Sequence, residues 1–325
     1  MKALVCEAFG PYASHKVKEV PSPEVKKGHL KVDVRAAGVN FPDILIVEGK
    51  YQLKPPFPFT PGSECAGVVS EIGEGVEGFE VGDRVFFGAM QGAFAEEMIA
   101  AAPLVFKIPD GMSFEQASAI NLVYGTSYHA LKDRAQLKAG ETVFVMGAAG
   151  GVGLAAVELA KAMGATVIAG ASTDEKCAVA QEHGADMVVN YAKDDIKETV
   201  RKLSKGGVDV VYDPIGDEYA EPAFRSLGWE GRYLVVGFAA GDIPRLPLNL
   251  MLLKSGDVRG VFWGSWIQRN PAAHRQNTAE FLQMFAEGKI NPRISGSYPL
   301  EDFVKAYDEI AERRAMGKVV LTMGA

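Results

Sequence analysis

Four glycines, Gly147, Gly150, Gly151 and Gly153, fall within seven residues of "MGAAGGVGLAAVELAKAMG". An apolar, β-branched run, "TVFVM", precedes them, an alanine-rich run follows, and a second apolar run, "TVIAGA", comes after that. A glycine loop between a strand and a helix exposes backbone N–H groups at the positive end of the helix dipole, which is the chemistry of holding a pyrophosphate. Strand, glycine turn, helix and second strand together are the dinucleotide-binding unit. Two registers fit: Ala148-x-Gly150-x-x-Gly153 and Gly151-x-Gly153-x-x-Ala156. The turn must begin directly after Met146, which favours the first. Gly150 and Gly151 then let the backbone approach the pyrophosphate, and Gly153 lets the helix pack on the strand.

The end of the second strand distinguishes NAD from NADP. An NAD site places an acid there, about 20 residues past the glycines, to bind the ribose 2′-hydroxyl. Ala171 and Ser172 occupy that place. Asp174 and Glu175 follow in the first helical turn, where Ser172-x-x-Glu175 reads as a capping box. Lys176 lies one turn beyond Ser172, within reach of a 2′-phosphate, and Tyr191 follows the third strand. NADPH is therefore the expected cofactor.

Other chemistries lack their residues. His15, His29, His129, His183 and His274 form no metal-binding spacing. There is no GxSxG elbow, and Ser127 and His129 point apart on a helix. Cys6, Cys65 and Cys177 lie far apart, as befits a reducing, cytoplasmic compartment. The formal net charge is −7 with no basic run, so neither nucleic acid nor an anionic membrane is an expected partner.

Residues 1 to about 110 read as short strands and proline-stiffened turns, with "HLKVDVRAAGV", "CAGVVSEIG" and "EGFEVGDRVFF" as strand segments. From residue 113 helical spacing begins. Strands at Val143–Met146, Thr166–Ala169, Met187–Val189, Val208–Tyr212 and Tyr233–Val236 then alternate with helix-length segments. That alternation predicts an α/β fold with a doubly wound parallel sheet beside a β-rich domain. The tail from residue 271 reads helix, loop, helix, strand and fits either domain.

The stretches "AAGVNFPDILIVEGKY", "PFTPGSECAGVVSEIG", "VGDRVF", "GAAGGVGLAA", "DPIG", "VVGF", "RGVFWG" and "GKVVL" resemble the medium-chain dehydrogenase/reductase superfamily, in its zinc-free quinone oxidoreductase branch. The resemblance implies a GroES-like catalytic domain over 1–121, a Rossmann NADP-binding domain over 122–261, and a return segment, 262–325, completing the first. It implies no zinc: Asn40, Ser63 and Leu122 stand where zinc-dependent members carry ligands, with Glu64 kept. Its nicotinamide and ribose contacts map onto Asn40, Thr126, Gly150, Val152, Gly237, Phe238, Phe262 and Gly264. Its 2′-phosphate contacts map onto Ser172, Lys176 and Tyr191, and a basic residue near the cofactor maps onto Lys318. The branch often forms homodimers through Rossmann edge strands, which "GDVRGVFW" could supply. Leu45 replaces a tyrosine found in several quinone reductases, while Asp43 and Tyr51 are kept.

The implied activity is hydride transfer from NADPH to a quinone. An α,β-unsaturated carbonyl or enoyl-CoA is the alternative acceptor, and a structural or regulatory NADPH-binding role is an alternative of another class. A quinone takes its protons from water, whereas an enone benefits from a donor at its oxygen. Asn40, Tyr51, Tyr124 and Tyr128 are the candidate donors. Phe57 and Phe59, in a proline-dense segment, offer apolar surface to a flat acceptor or pack into the β domain.

Overall fold

The computed structural model describes residues 1–324. They form two compact units. One comprises Met1–Leu122 together with the segment from Pro292 onward; the other is Val123–Asn291.

The first unit opens with β1 (Lys2–Val5) paired antiparallel to β2 (Lys16–Glu19). Next come β3 (His29–Val39), helix α1 (Phe41–Val47), β4 (Glu64–Ile72), β5 (Arg84–Gly88), β6 (Glu97–Ala101) and β7 (Val105–Lys107). The first half of β3 alternates between buried and half-buried residues, as a strand with one covered face must. Leu30, Val32 and Val34 of β3 join Val69, Val85, Phe87 and Phe94 in the core. Helix α2 (Phe114–Tyr128) then carries the chain into the second unit. Its N-terminus is capped reciprocally by Ser113 and Gln116, as their spacing predicts.

The second unit alternates strictly: β8 (Thr142–Val145), α3 (Gly151–Ala162), β9 (Thr166–Ala171), α4 (Asp174–Glu182), β10 (Met187–Asn190), α5 (Ile196–Leu203), β11 (Val208–Asp213), α6 (Asp217–Arg225), β12 (Leu227–Val235), α7 (Asn249–Lys254) and β13 (Asp257–Gly260). All six strands are parallel, in the order β10-β9-β8-β11-β12-β13. The order reverses between β8 and β11, and ligands of such sheets bind outside the carboxyl ends of the strands at that point. Phe144, Ile168 and Val211 are completely buried, which explains why these strands read as apolar runs.

Helices α8 (Trp263–Arg269) and α9 (Pro271–Ala286) also belong to the second unit. The compact units thus divide at 122/123 and 291/292, where the resemblance implies 121/122 and 261/262. Packing gives the reason: Phe281 of α9 lies against the rings of Tyr124 and Tyr128, and Asn277 bonds to Lys132 and Asp133. Only β14 (Ile294–Pro299), α10 (Phe303–Ala311) and β15 (Lys318–Thr322) return to the first sheet, where β15 pairs antiparallel with β3.

Candidate active site

In the second unit the glycine loop starts from Gly147, at φ +58°, and Ala148 N–H donates to Gly170 O at 2.9 Å. Gly150 precedes the first residue of α3, so the helix begins at Gly151. A Cβ on Gly153 would stand 2.2 Å from the Gly147 carbonyl oxygen, so the helix can sit this close only without a side chain there. Gly147, outside both registers considered above, supplies the left-handed turn itself.

Side chains gather around this loop. Ser127 Oγ donates to the Val152 carbonyl at 2.9 Å, which ties α2 to the first turn of α3. A Cβ on Gly125 would meet the Trp263 ring at 2.6 Å, so the same stretch of α2 touches the turn carrying Phe262 and Gly264. The Phe262 side chain is 72% exposed. Gly237 and Phe238 follow β12 and pack against Pro214 and Gly216. That loop is fixed by buried Asp213, which accepts from Ile215 N–H at 2.7 Å, Gly216 N–H at 2.9 Å and the Tyr233 hydroxyl. Burial pushes the Asp213 carboxyl upward, against these three bonds.

At the end of β9 the structure corrects the capping residue. Thr173, not Ser172, caps α4, accepting Lys176 N–H at 3.2 Å. The φ/ψ of Thr173 is extended, as a capping residue's should be. Ser172 lies between the end of β9 and that cap. Asp174 accepts from Asn190 Nδ2 at 2.6 Å and pairs with Lys193 at 2.5 Å, so this acid is already engaged. Those bonds hold its carboxyl below the usual range, the Lys193 bond first. Tyr191 packs beside Gly170 and the Tyr219 ring.

In the first unit three strand ends meet. Asn40 follows β3 and caps α1, Glu64 opens β4, and Lys318 opens β15 opposite Asn40. The Lys318 ammonium donates to Val39 O at 3.1 Å, Asn40 Oδ1 at 2.5 Å and Glu64 Oε1 at 2.8 Å, which uses all three of its protons. Glu64 also accepts Asn40 Nδ2 at 2.9 Å and Leu122 N–H at 2.8 Å. Both charges are buried, Lys318 at 5% and Glu64 at 0% exposure. Such a pair is tolerable only with its hydrogen bonds completed, as here. Gly38 makes the approach possible, because a Cβ there would lie 2.6 Å from Glu64 Oε1. Asp43, also buried, accepts Asn40 N–H at 2.8 Å. Burial, opposed by that bond and by Lys318, pushes its carboxyl up to about 7.

The candidate donors separate by position. The Tyr124 hydroxyl is buried and donates to Glu158 at 2.5 Å; the Tyr128 hydroxyl donates to Glu280 at 2.7 Å. Both phenols are pushed upward, by burial first. These bonds turn the two hydroxyls into the second unit's own packing. The Asn40 amide is likewise spent on Lys318, Glu64 and Gly38 O. Tyr51 is half-buried beside the first core, and its phenol is pushed upward by burial first and then by Asp43. Phe59 is in the core, whereas Phe57 is exposed and lies edge-on to Phe9 at 4.6 Å. Sequence reasoning gave Lys318 only a place near the cofactor. Its pairing with Glu64, 254 residues away, had no local signal beyond the two charges.

A GroES-like β domain joined to a Rossmann sheet, with a glycine loop at its switch point, is the architecture of a medium-chain dehydrogenase/reductase. The alcohol dehydrogenase GroES-like domain model matches residues 26–110, and the zinc-binding dehydrogenase model matches residues 151–286. Quinone oxidoreductase-like protein 2 of Bos taurus is 40% identical over 309 residues, covering 94% of this chain and 88% of that protein. The crystal structure of Escherichia coli quinone oxidoreductase complexed with NADPH is 28% identical with a TM-score of 0.91, covering 99% of this chain and 100% of that one. A mycobacterial protein complexed with NADPH is 31% identical with a TM-score of 0.92, covering 99% of this chain and 100% of that one. The chain belongs to the quinone oxidoreductase branch of the medium-chain dehydrogenase/reductase superfamily, and it is an oxidoreductase.

Zinc, which the second model's description carries, does not fit this site. Asn40, Ser63 and Leu122 offer an amide, a hydroxyl and an alkyl group, and the Glu64 carboxylate is taken by the Lys318 ammonium. Among the described residues no group of three or more His, Cys, Asp or Glu side chains could hold a metal ion. No helix among them is long and apolar enough to cross a membrane.

Proposed function

We propose that the protein is a zinc-independent, NADPH-dependent reductase that delivers hydride to a quinone. The observation that carries the cofactor choice is the end of β9. Ser172 and Lys176 stand there, and the nearest acid, Asp174, is tied to Lys193 and Asn190. Gly150, Gly151, Val152 and Gly153 would hold the pyrophosphate; Thr126, Gly237, Phe238, Phe262 and Gly264 the nicotinamide half; and Ser172, Lys176 and Tyr191 the 2′-phosphate. NADPH supplies the hydride, while the protein binds, orients and excludes water. The relatives named as quinone oxidoreductases support a quinone as acceptor.

The test is NADPH oxidation with a panel of quinones, enones, enoyl-CoAs and simple alcohols. Turnover fastest with a quinone is expected, and alcohols faster than every quinone and enone would overturn the assignment. Lys176→Ala should weaken NADPH by roughly 1.5–3 kcal/mol, about tenfold or more, and leave NADH affinity unchanged. Equal affinity of the wild type for both cofactors in a fluorescence titration would count against the 2′-phosphate assignment.

A homodimer through β13 is part of this reading. That strand is the outermost of its sheet, and Val258 on it is exposed together with Leu248, Leu252 and Leu253 nearby. An uncovered edge with apolar neighbours invites a second copy. Sedimentation velocity should find a dimer at micromolar concentration that Val258→Lys converts to monomer; a monomeric wild type would contradict it.

A further inference from the structure

We propose that Lys193 sets the preference for the phosphorylated cofactor without holding its phosphate: the ammonium neutralises the Asp174 carboxylate, which would otherwise meet the 2′-phosphate as a like charge. Lys193 is thus a specificity-determining positioning residue that acts through Asp174. The inference rests on the 2′-phosphate assignment above and extends its selectivity to a residue outside the set Ser172, Lys176 and Tyr191.

Asp174 is the first residue of α4, two positions after Ser172 and two before Lys176. A phosphate gripped by those two side chains would lie within about one helical turn of the carboxylate. Like charges that close repel one another. An uncommitted acid near the end of the second strand is also what an NAD site uses to bind the ribose 2′-hydroxyl. Left alone, Asp174 would therefore oppose NADPH and favour NADH.

The structure engages both of its oxygens. Oδ2 accepts from Lys193 Nζ at 2.5 Å, and Oδ1 accepts from Asn190 Nδ2 at 2.6 Å. The bond between them holds Lys193 above and Asp174 below their ordinary values, so both are ionised at neutral pH. The two side chains are 64% and 73% exposed, and an exposed ion pair by itself fixes little. Asn190 supplies the rest. It is buried, ends β10, and is itself held in place. Its N–H donates to Asp194 Oδ2 at 3.1 Å, and its Oδ1 accepts Ala192 N–H at 3.2 Å. Its carbonyl accepts the N–H groups of Lys193 and Asp194 at 2.9 and 2.8 Å. The same turn is tied to the end of β9, where Tyr191 N–H donates to Ala171 O at 3.0 Å. One closed turn thus carries an amide and an ammonium that converge on a single carboxylate of the neighbouring helix. Glu175, next in that helix, contributes the same charge in every variant below.

The experiment is fluorescence titration of the protein, with no acceptor present, by NADPH and by NADH, which differ only in the 2′-phosphate. The proteins are wild type, Lys193→Ala, Lys193→Arg, Asp174→Asn and the double variant Lys193→Ala/Asp174→Asn. Lys193→Ala should weaken NADPH about threefold to tenfold at low salt, and less at high salt. NADH should bind that variant as tightly as wild type or tighter. Lys193→Arg, which keeps the charge, should restore NADPH binding. Asp174→Asn should bind NADPH at least as tightly as wild type. The double variant should return NADPH to within about twofold of wild type, because the acid that the ammonium neutralised is gone. A double variant as weak as Lys193→Ala would mean that Lys193 touches the phosphate itself, and would overturn the proposal. Equal weakening of both cofactors in Lys193→Ala, or no weakening of either, would overturn it as well. If wild type binds NADPH and NADH equally, the 2′-phosphate assignment falls and takes this proposal with it.

Discussion

Lys318→Met lowers the unfolding free energy by about 3–5 kcal/mol, because it leaves the Glu64 carboxylate buried without its counter-charge. Glu64 has no exposed surface, and its remaining partners are two N–H groups, from Asn40 and Leu122. Removing the carboxylate's charge as well should recover much of the loss. The double variant Lys318→Met/Glu64→Gln is expected to be more stable than Lys318→Met alone. Urea unfolding of wild type, Lys318→Met, Glu64→Gln and the double variant measures both differences. Single and double variants of equal stability would mean that the pair is not coupled. Lys318 also holds the Asn40 amide oxygen at 2.5 Å, so the same variant frees that amide to rotate.

Gly153→Ala strikes the other unit. The new methyl would stand 2.2 Å from a backbone oxygen, with no flexible side-chain end to move away. Helix α3 must shift off the loop, at about 1–3 kcal/mol in stability, and the N–H groups at its start move with it. NADPH affinity should fall at least about tenfold. Gly150→Ala is the contrast: its φ is −77° and the nearest atom to an added Cβ is 3.5 Å away, an ordinary contact. That variant should unfold within about 0.5 kcal/mol of wild type while still weakening NADPH. Thermal unfolding beside a fluorescence titration separates the two cases. Equal behaviour of the two alanines would show that helix approach and ligand approach are not distinct here.

Local pattern made much of this legible. The alternation of β3, the apolar runs of β8, β9 and β11, and the glycine cluster each report their own surroundings, because period and backbone freedom are properties of a few neighbouring residues. Residues 262–291 were harder to place. Helix α9 is bound to the second unit by Asn277 and Phe281 meeting Lys132, Asp133, Tyr124 and Tyr128, contacts spanning 144 residues or more that no window contains. The cap of α4 failed for a smaller reason. Ser172 and Thr173 are both good capping residues, and only the point at which the chain leaves the strand decides between them. The polar cluster of the first unit was visible as separate letters, Asn40, Asp43, Glu64 and Lys318, but its connectivity depends on strand pairing.

That pairing orders events during synthesis. The second unit, Val123–Asn291, is one continuous stretch inserted within the first. Glu64 emerges from the ribosome 254 residues before Lys318. At about 5–20 residues per second the delay is roughly 13–50 s. Over that interval β4 has no cation to accompany it into the interior, so burying Glu64 must wait for β15. The inserted Rossmann unit has all its strands by then and folds first, reversing the order in which the two units begin. A nascent chain stalled before residue 318 would carry a finished nucleotide-binding fold and an open β domain.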